Sequence, residues 1–291
     1  MCSHHARHAH RLHALLLILA LTGVAALALL AHGVSWWYAP LGAGAVVAVH
    51  LALFAGLAAA ARGVTRAGHG PAGHGHDGSL VLHGARGYDW FVRAFTMGRE
   101  GKLRRWALDQ GALKPGSSVL DVGSGTGTLL IAAAGRVGPS GNLQGVELSP
   151  EMCARARDKA KRRGVALTIT ETPAEKLPFP PATFDAAFCT LVLHHMPVAT
   201  QEAAIREMRR VLKPGGRIVL VDWRTPKSFF RTLFDGMGLV YLMHRHGPSP
   251  LETGRIEPLL AELGLEDLSH PAYGGGAIGA IVARAGVSRT E

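Results

Sequence analysis

Acidic side chains are missing from the start of this 291-residue chain. No Asp or Glu occurs before Asp77, and the first 66 residues carry only four charged side chains, Arg7, Arg11, Arg62 and Arg66. This stretch is therefore apolar with positive flanks, not a polybasic arm. The chain as a whole carries +10, but its densest basic run, residues 155–163, falls on a predicted helix and is interpreted as a solvated face. Without a base-reading motif, the sequence predicts no nucleic-acid partner.

Cysteine is also scarce. Cys2, Cys153 and Cys189 show no paired spacing, which argues against a disulfide framework and a zinc site and fits a reducing compartment. Histidine is frequent near both ends of the apolar stretch and would bind metal only if distant histidines converged. We interpret these tracts as compositional and predict no metal site. They contain His4, His5, His8, His10, His13, His69, His74 and His76.

Two uncharged apolar runs, residues 12–31 and 41–61, are each near the length of about 20 residues that spans a bilayer core. The turn between them contains Trp36, Trp37 and Tyr38, which suit the headgroup region. Because the arginines lie outside the two runs, both ends are expected in the cytoplasm. The sequence predicts a transmembrane hairpin in the cell membrane; a cleavable signal peptide and a buried hairpin of a soluble protein are the alternatives.

Three segments follow from this pattern. Residues 1–66 are predicted to be the membrane hairpin, residues 67–84 a linker rich in Gly and His, and residues 85–291 a catalytic domain facing the cytosol. Within that domain, strand-like apolar runs alternate with helical periodicity, which predicts an α/β fold with a doubly wound, mostly parallel sheet. The predicted strands are 118–122, 142–146, 166–170, 184–191 and 217–222, the predicted helices are 128–136, 150–164 and 199–212, and a turn is predicted at 213–216.

The first predicted strand continues directly into a glycine-rich turn before a helix. Glycines allow a tight reversal and a close approach of a ligand to the backbone. Glu147 ends the second predicted strand, where a carboxylate can accept hydrogen bonds from both ribose hydroxyls. Nicotinamide dehydrogenases share both features, so the glycine turn and the acid alone leave a dehydrogenase open as an alternative. The turn consists of Gly123, Ser124, Gly125, Thr126 and Gly127.

Residues 88–222 resemble the type-11 group of class I S-adenosylmethionine-dependent methyltransferases, which includes ubiquinone, menaquinone and phospholipid methyltransferases. The resemblance lies in 119–127, Glu147, the loop 174–180, the strand 184–188 and the turn 212–217. It implies a Rossmann-like fold and S-adenosylmethionine as cofactor, with the glycine turn at the methionine part, Glu147 at the ribose and 174–180 at the adenine. The implied cofactor-binding residues are Asp121, Gly123, Ser124, Gly125, Thr126, Gly127, Glu147, Leu148, Ala174, Glu175 and Thr190.

His194 and His195 are predicted at the end of the fourth strand, on the carboxyl edge where open α/β sheets bind ligands. Histidine titrates near neutrality, so both residues are candidate bases for an acceptor that must lose a proton. Asp222, at the end of the fifth strand, is the third candidate. The alternatives are that the histidines line the cofactor pocket or cap the next helix, and that Asp222 orients the substrate or caps a turn.

Two aromatic or apolar segments are candidate contacts for a lipophilic acceptor. The first contains Tyr88, Trp90, Phe91, Phe95 and Trp106 and is either core or a lid over the cofactor. The second, residues 228–246, follows the fifth strand.

A membrane location favours a quinone precursor or a phospholipid headgroup as acceptor. For a phospholipid headgroup, the candidate phosphate contacts are Arg224, Lys227 and Arg231. Thr128 stands where quinone enzymes typically carry an acidic residue. Methylation of a soluble metabolite and a non-catalytic, cofactor-binding membrane scaffold are the alternative functions.

Overall fold

The computed structural model describes Asp89, Val92, Arg93, Thr96 and residues 98–226 and 249–287. The chain divides into two units, Met1–Arg66 and Ala67–Glu291, and every described residue belongs to the second. The predicted hairpin, the predicted linker and most of the aromatic segment, including Tyr88, Trp90, Phe91 and Phe95, lie outside the described residues. Residues 228–246 do as well. Within the described part of the chain, no helix is long and apolar enough to cross a membrane.

Helices and strands alternate through most of the described domain. Their bounds are α1 Glu100–Gln110, β1 Ser118–Val122, α2 Thr128–Val137, β2 Asn142–Glu147, α3 Pro150–Arg163, β3 Thr168–Glu171, β4 Phe184–Thr190, α4 Val198–Val211, β5 Leu212–Trp223, α5 Ile256–Glu262, β6 Leu265–Ser269, β7 Ala272–Tyr273 and β8 Ile278–Ala285, with short 3-10 helices at Leu193–His195 and Pro250–Glu252.

The described strands form one eight-stranded sheet in the order β3-β2-β1-β4-β5-β8-β6, and β7 pairs with β8. The first five strands are parallel, whereas β8 is antiparallel to both β5 and β6. The predicted doubly wound, mostly parallel sheet is therefore confirmed. The antiparallel end of the sheet was not predicted.

Burial explains the continuous apolar character of the central strands. Phe184, Phe188 and Leu120 have no exposed surface, as expected for strands of a parallel sheet that is buried on both faces. Local capping sets the ends of α3: Ser149 Oγ accepts from the backbone N–H of Met152, Pro150 occupies the first turn, and Gly164 ends the helix at φ +63°. These ends match the prediction.

Two predictions need correction. Residues 213–216, predicted as a turn, lie within β5. They bulge, because Phe184 pairs with Leu212 and Ala186 with Arg217, which places four residues of β5 opposite one of β4. His194 and His195 do not end β4 but lie in the 3-10 helix that follows it. Smaller shifts affect the third strand, predicted at 166–170 and found at Thr168–Glu171.

Candidate active site

Two adjoining cavities open at the carboxyl edge of β1, β2 and β4. β1 lies between β2 and β4, so the connections from β1 and β4 leave the sheet in opposite directions and create a crevice at this point. Gly123, Glu147, Val192 and His195 line both cavities. The two cavities therefore form one groove, which we divide into a polar lobe and an apolar lobe.

The polar lobe is built around the glycine turn and contains about 690 Å³ of space, part of it open to solvent. Its remaining lining is mainly polar or charged. The lining residues are Arg104, Asp121, Gly123, Ser124, Gly125, Thr126, Thr128, Leu129, Glu147, Met152, Thr190, Leu191, Val192 and His195.

The glycine turn depends on left-handed backbone at three positions. Gly123, Gly125 and Gly127 have φ values of +68°, +52° and +72°. Residues other than glycine adopt such values only at a cost in free energy. A Cβ on Gly123 would lie 2.6 Å from Cγ1 of Val192, whereas a Cβ on Gly125 would meet no protein atom within 4 Å. Gly125 thus leaves open space on the cavity side, where a ligand can approach the backbone.

Glu147 stands between the two lobes and is held by backbone donors. Its Oε2 accepts from the N–H of Gly125 at 2.8 Å, and its Oε1 accepts from the N–H of Ser149 at 2.9 Å. Burial raises the pKa of Glu147, and the N–H groups of Ser149, Gly125 and Leu148 offset part of that rise. The carboxylate is therefore fixed in orientation at the middle of the groove, as a ribose-binding acid requires.

Asp121 and Arg104 bring opposite charges to the inner end of the polar lobe. Asp121 is 3% exposed, and burial, with a smaller contribution from the charge of Glu147, raises its pKa to about 7 against the opposing effect of Arg104. Arg104, on α1, has its Nη2 3.8 Å from Oε1 of Glu100. A carboxylate and a guanidinium together match an amino acid's ammonium and carboxylate groups.

Three buried polar atoms of this lobe lack hydrogen-bond partners among the described residues: Ser124 Oγ, Thr190 Oγ1 and Arg104 Nε. Buried polar groups are rarely left unsatisfied, so their convergence on one cavity indicates a polar ligand. The methionine end of S-adenosylmethionine fits this set of donors and acceptors.

The apolar lobe, with about 530 Å³ of space that is partly open to solvent, lies on the other side of Glu147. Leu148, Ala174 and Glu175, all predicted to bind the cofactor, contribute to its wall together with Val146, Thr172, Pro173, Met196 and Thr200. Flat aromatic groups suit such apolar walls. The adenine end therefore fits this lobe, with the ribose at Glu147 between the two ends.

The predicted catalytic residues come together beside the groove but differ in position. Nδ1 of His194 lies 2.7 Å from Oδ1 of Asp222, and the two imidazole centroids of His194 and His195 are 3.9 Å apart. Asp222 has no exposed surface. Of these three, only His195 lines the cavities, and His194 lies between it and Asp222.

The structure adds a polar network that the sequence did not reveal. Oδ1 of Asp89 accepts from Lys159 Nζ and from Thr126 Oγ1, both at 2.7 Å, and Lys159 Nζ also lies 2.9 Å from Thr128 Oγ1. Burial acts to raise the pKa of Asp89, but hydrogen bonds from Lys159 and Thr126 and the nearby positive charges lower it overall. The network fastens Asp89, which precedes α1 in the sequence, to the glycine turn.

Arg104 was also missed. Its sequence signal was only a basic residue near the end of a predicted aromatic segment, and burial beside Asp121 distinguishes it from a surface arginine. Trp106, from the same segment, packs against Tyr273 with ring centroids 5.5 Å apart. Trp106 therefore belongs to the packing between α1 and β7.

The sheet order with an antiparallel β8, the glycine turn after β1 and the acid after β2 define a class I S-adenosylmethionine-dependent methyltransferase. Comparison with known proteins agrees: a family model described as a methyltransferase domain matches residues 119–216. The chain is 34% identical to the demethylmenaquinone methyltransferase of Thermus thermophilus over 58% of this chain and 73% of that protein.

It is also 32% identical to the ubiquinone/menaquinone biosynthesis C-methyltransferase UbiE of Geobacter sulfurreducens, over 63% of this chain and 78% of that protein. A Methanococcus maripaludis structure titled as an S-adenosyl-L-methionine-dependent methyltransferase shares the fold, with a TM-score of 0.57, 16% identity and coverage of 72% of this chain and 94% of that one. The chain belongs to the ubiquinone/menaquinone-type family of class I S-adenosylmethionine-dependent methyltransferases. It is an enzyme, and S-adenosylmethionine is its cofactor.

Proposed function

We propose that this enzyme transfers a methyl group to a ring carbon of a lipophilic quinone precursor at the cytoplasmic face of the cell membrane. The observation that carries the proposal is the position of His195, which lines both lobes of the cofactor groove beside the His194–Asp222 pair. A base at this point is what carbon methylation of a phenolic ring needs.

The bound cofactor supplies a methyl group that is already activated by a sulfonium. The acceptor ring becomes nucleophilic at carbon when a neighbouring hydroxyl gives its proton to a base, and neutral imidazole suits that step. With the cofactor bound, a carbon–methyl bond would form as the methyl–sulfur bond broke; loss of the hydrogen on the methylated carbon as a proton would restore aromaticity, and the ring oxygen would regain the proton that the base had taken. We infer that His195 is this base, and that the groove aligns the two reactants.

The named activities of the relatives support the acceptor class. Both relatives described above are named as enzymes that methylate quinone precursors, and one is named a C-methyltransferase. Phosphatidylethanolamine is the weaker candidate. Arg224, a candidate phosphate contact, already forms an ion pair with a carboxylate, because its Nε lies 3.6 Å from Oε1 of Glu252. Lys227 and Arg231 lie outside the described residues.

The described residues on either side of 227–248 bind one another. Thr225 donates from its N–H and its hydroxyl to Oε2 of Glu252, at 3.0 and 2.9 Å, and Ser249 Oγ donates to the carbonyl of Trp223. These bonds join the described residues before and after the apolar segment, and one of them, Trp223, directly follows Asp222 in the sequence. We assign residues 228–246 to the acceptor pocket, because their apolar composition matches a prenylated ring.

The proposed membrane location rests on residues 12–31 and 41–61, whose length and lack of charge suit a two-helix hairpin. The flanking arginines favour a cytoplasmic catalytic domain. Expression of the full chain followed by carbonate extraction of membranes tests this point. Recovery in the extracted supernatant would contradict the hairpin without bearing on the chemistry.

The acceptor is tested with full-length protein in detergent, radiolabelled S-adenosylmethionine and two lipids in separate reactions, a prenylated naphthoquinol and phosphatidylethanolamine. We expect label in the quinol alone, and mass spectrometry should place the added methyl on a ring carbon. Label in phosphatidylethanolamine alone would overturn the assignment. His195→Ala should lower kcat about 100-fold or more while S-adenosylhomocysteine binding stays near wild type.

A further inference from the structure

The loop between β3 and β4 forms one wall of the apolar lobe. It contains no helix or strand. Thr172, Pro173, Ala174 and Glu175 line the lobe, and their backbone must be held in place for the wall to keep its shape. Loop peptide groups need partners for their N–H and C=O groups as much as those of regular elements do. Two side chains of α4 provide such partners for the part of the loop that follows the lining residues.

Glu207 and Arg210 bind the loop just beyond the lining residues. Oε2 of Glu207 accepts from the N–H of Leu177 at 2.9 Å. Arg210 donates from Nη2 to the carbonyl of Leu177 at 3.0 Å and from Nη1 to the carbonyl of Phe179 at 2.8 Å. Three peptide groups of the loop are therefore satisfied by two side chains that lie one turn apart on the same helix.

The two side chains also bind each other. Arg210 Nε lies 2.6 Å from Oε1 of Glu207, and Arg210 Nη2 lies 2.7 Å from Oε2. This forked geometry fixes both groups better than a single contact would. The hydrogen bond from Arg210 is the main cause that lowers the pKa of Glu207, so the carboxylate remains ionised at neutral pH.

The same loop is anchored by packing immediately after the lobe. Leu177 is 4% exposed within the core, and the ring of Phe179 makes an edge-on contact with Phe184 at 5.0 Å. Core packing fixes the side chains, whereas the ion pair fixes the peptide planes. Glu175 lies only two residues before Leu177, so this anchored point adjoins the part of the loop that lines the lobe.

We propose that Glu207 and Arg210 are positioning residues for the cofactor, and that they hold the 172–179 loop in the shape that receives the adenine end. Neither residue lines the groove, so both act through the loop. Loss of the pair should weaken binding of the adenosyl part while the transfer step at His195 proceeds normally once the cofactor is bound.

The chain offers a matched control on the same helix. Arg206 and Glu262 form a second forked Arg–Glu pair, with Arg206 Nη1 2.8 Å from Oε1 and Nη2 3.3 Å from Oε2 of Glu262. This pair joins α4 to α5, and its side chains are 47% and 62% exposed. Removing it changes the same kind of interaction on α4 at a site away from the loop.

The test uses full-length protein in detergent and calorimetric titration with S-adenosylhomocysteine and with methylthioadenosine, which lacks the amino-acid end. We expect Arg210→Met to weaken both ligands by a similar factor, about tenfold, and to raise KM for S-adenosylmethionine with kcat within about twofold of wild type. Arg210→Lys keeps the charge but loses the forked geometry, so its affinity for both ligands should lie between those of wild type and Arg210→Met. Arg206→Met should bind both ligands within about twofold of wild type.

A purely structural role would give a different result. Arg210→Met would then lower the unfolding temperature while both dissociation constants, measured well below that temperature, stayed at the wild-type values, and the proposal would be wrong. Weakening of S-adenosylhomocysteine alone would also overturn it, because the effect would then lie at the amino-acid end. If Arg210→Met does not fold, Glu207→Gln provides the test: we expect about threefold weaker binding of both ligands, and wild-type binding would overturn the proposal.

Discussion

Nδ1 of His194 lies 2.7 Å from Oδ1 of Asp222, a carboxylate with no exposed surface. The same carboxylate accepts from the backbone N–H of His194 at 3.0 Å and of Trp223 at 2.7 Å. Because an ionised carboxylate only accepts hydrogen bonds, Nδ1 of His194 carries the proton. This pairing fixes the ring against which the imidazole of His195 packs, at 3.9 Å between centroids.

Asp222→Asn should lower kcat about 100-fold with little change in the dissociation constant for S-adenosylhomocysteine. The amide can keep the shape of the carboxylate, but it removes the negative charge and can donate to Nδ1, which favours the other tautomer of His194. Asp185→Asn is the control, because Asp185 binds Ser118 and Lys213 at the amino end of the sheet. A kcat near wild type for Asp222→Asn would exclude a role for this pair in transfer.

The raised pKa of Asp121 predicts pH-dependent cofactor binding. Its pKa of about 7 means that the carboxyl is increasingly protonated below neutrality, whereas pairing with the ammonium of the cofactor needs the carboxylate. Affinity for S-adenosylhomocysteine should therefore fall as pH decreases below 7, toward about tenfold per pH unit. Calorimetry near pH 7 in buffers of different ionisation enthalpy should show proton release, and Asp121→Asn should abolish it. Binding independent of pH from 6 to 8 would contradict this role.

The same shift affects stability with a definite sign. The folded-state pKa of Asp121 lies above its ordinary value of 3.8, so the folded protein holds a proton that the unfolded chain releases between about pH 4 and 7. Ionisation of Asp121 consequently reduces the stability of the ligand-free protein as pH rises through this window. Thermal unfolding of Asp121→Asn should lose that contribution to the pH profile.

Gly125→Ala and Gly164→Ala separate backbone strain from ligand exclusion. Both glycines have positive φ, +52° and +63°, and neither added Cβ would meet a protein atom within 4 Å. Each change should therefore cost roughly 1 kcal/mol of stability. Only Gly125 lines the groove, so Gly125→Ala alone should weaken S-adenosylhomocysteine, by about tenfold or more. Equal affinities for the two variants would place the cofactor away from this turn.

Local chemistry explains which parts of the fold could be predicted. The start and end of α3 follow from Ser149, Pro150 and Gly164, whose capping roles depend on neighbouring residues alone. The strand, glycine turn and acid were predictable for the same reason. Residues 213–216 show the limit: their Pro and Gly indicate an interrupted strand, but whether the chain turns or bulges depends on its pairing with β4.

Long-range packing accounts for what the sequence did not indicate. β8 lies between β5 and β6 through pairs such as Val219 with Val282, which no local pattern specifies. The adjacent residues His194 and His195 have similar sequence signals, yet one pairs with Asp222 and the other lines the groove. Asp89 and Lys159 meet across 70 positions of sequence. Charged side chains on predicted helices are usually exposed to solvent. Only the folded structure shows that Lys159 and Arg104 are largely buried.

Arg104 should act on one end of the cofactor only. Its Nε is buried in the polar lobe without a hydrogen-bond partner among the described residues, and the carboxylate of the cofactor's methionine part is the group that it suits. Arg104→Met should weaken S-adenosylhomocysteine by about tenfold or more and leave methylthioadenosine within about twofold of wild type. Calorimetric titration with the two ligands measures both values.

Arg105→Met is the matched control, since Arg105 is the exposed neighbour of Arg104 on α1. The selectivity of the Arg104 effect is decisive because a general disturbance of α1 would reduce the affinity for both ligands together. Equal losses would mean that α1 shapes the whole groove and that its guanidinium does not bind the carboxylate. A selective loss would place the amino-acid end of the cofactor between Arg104 and Asp121, and thereby orient its sulfonium along the groove toward His195.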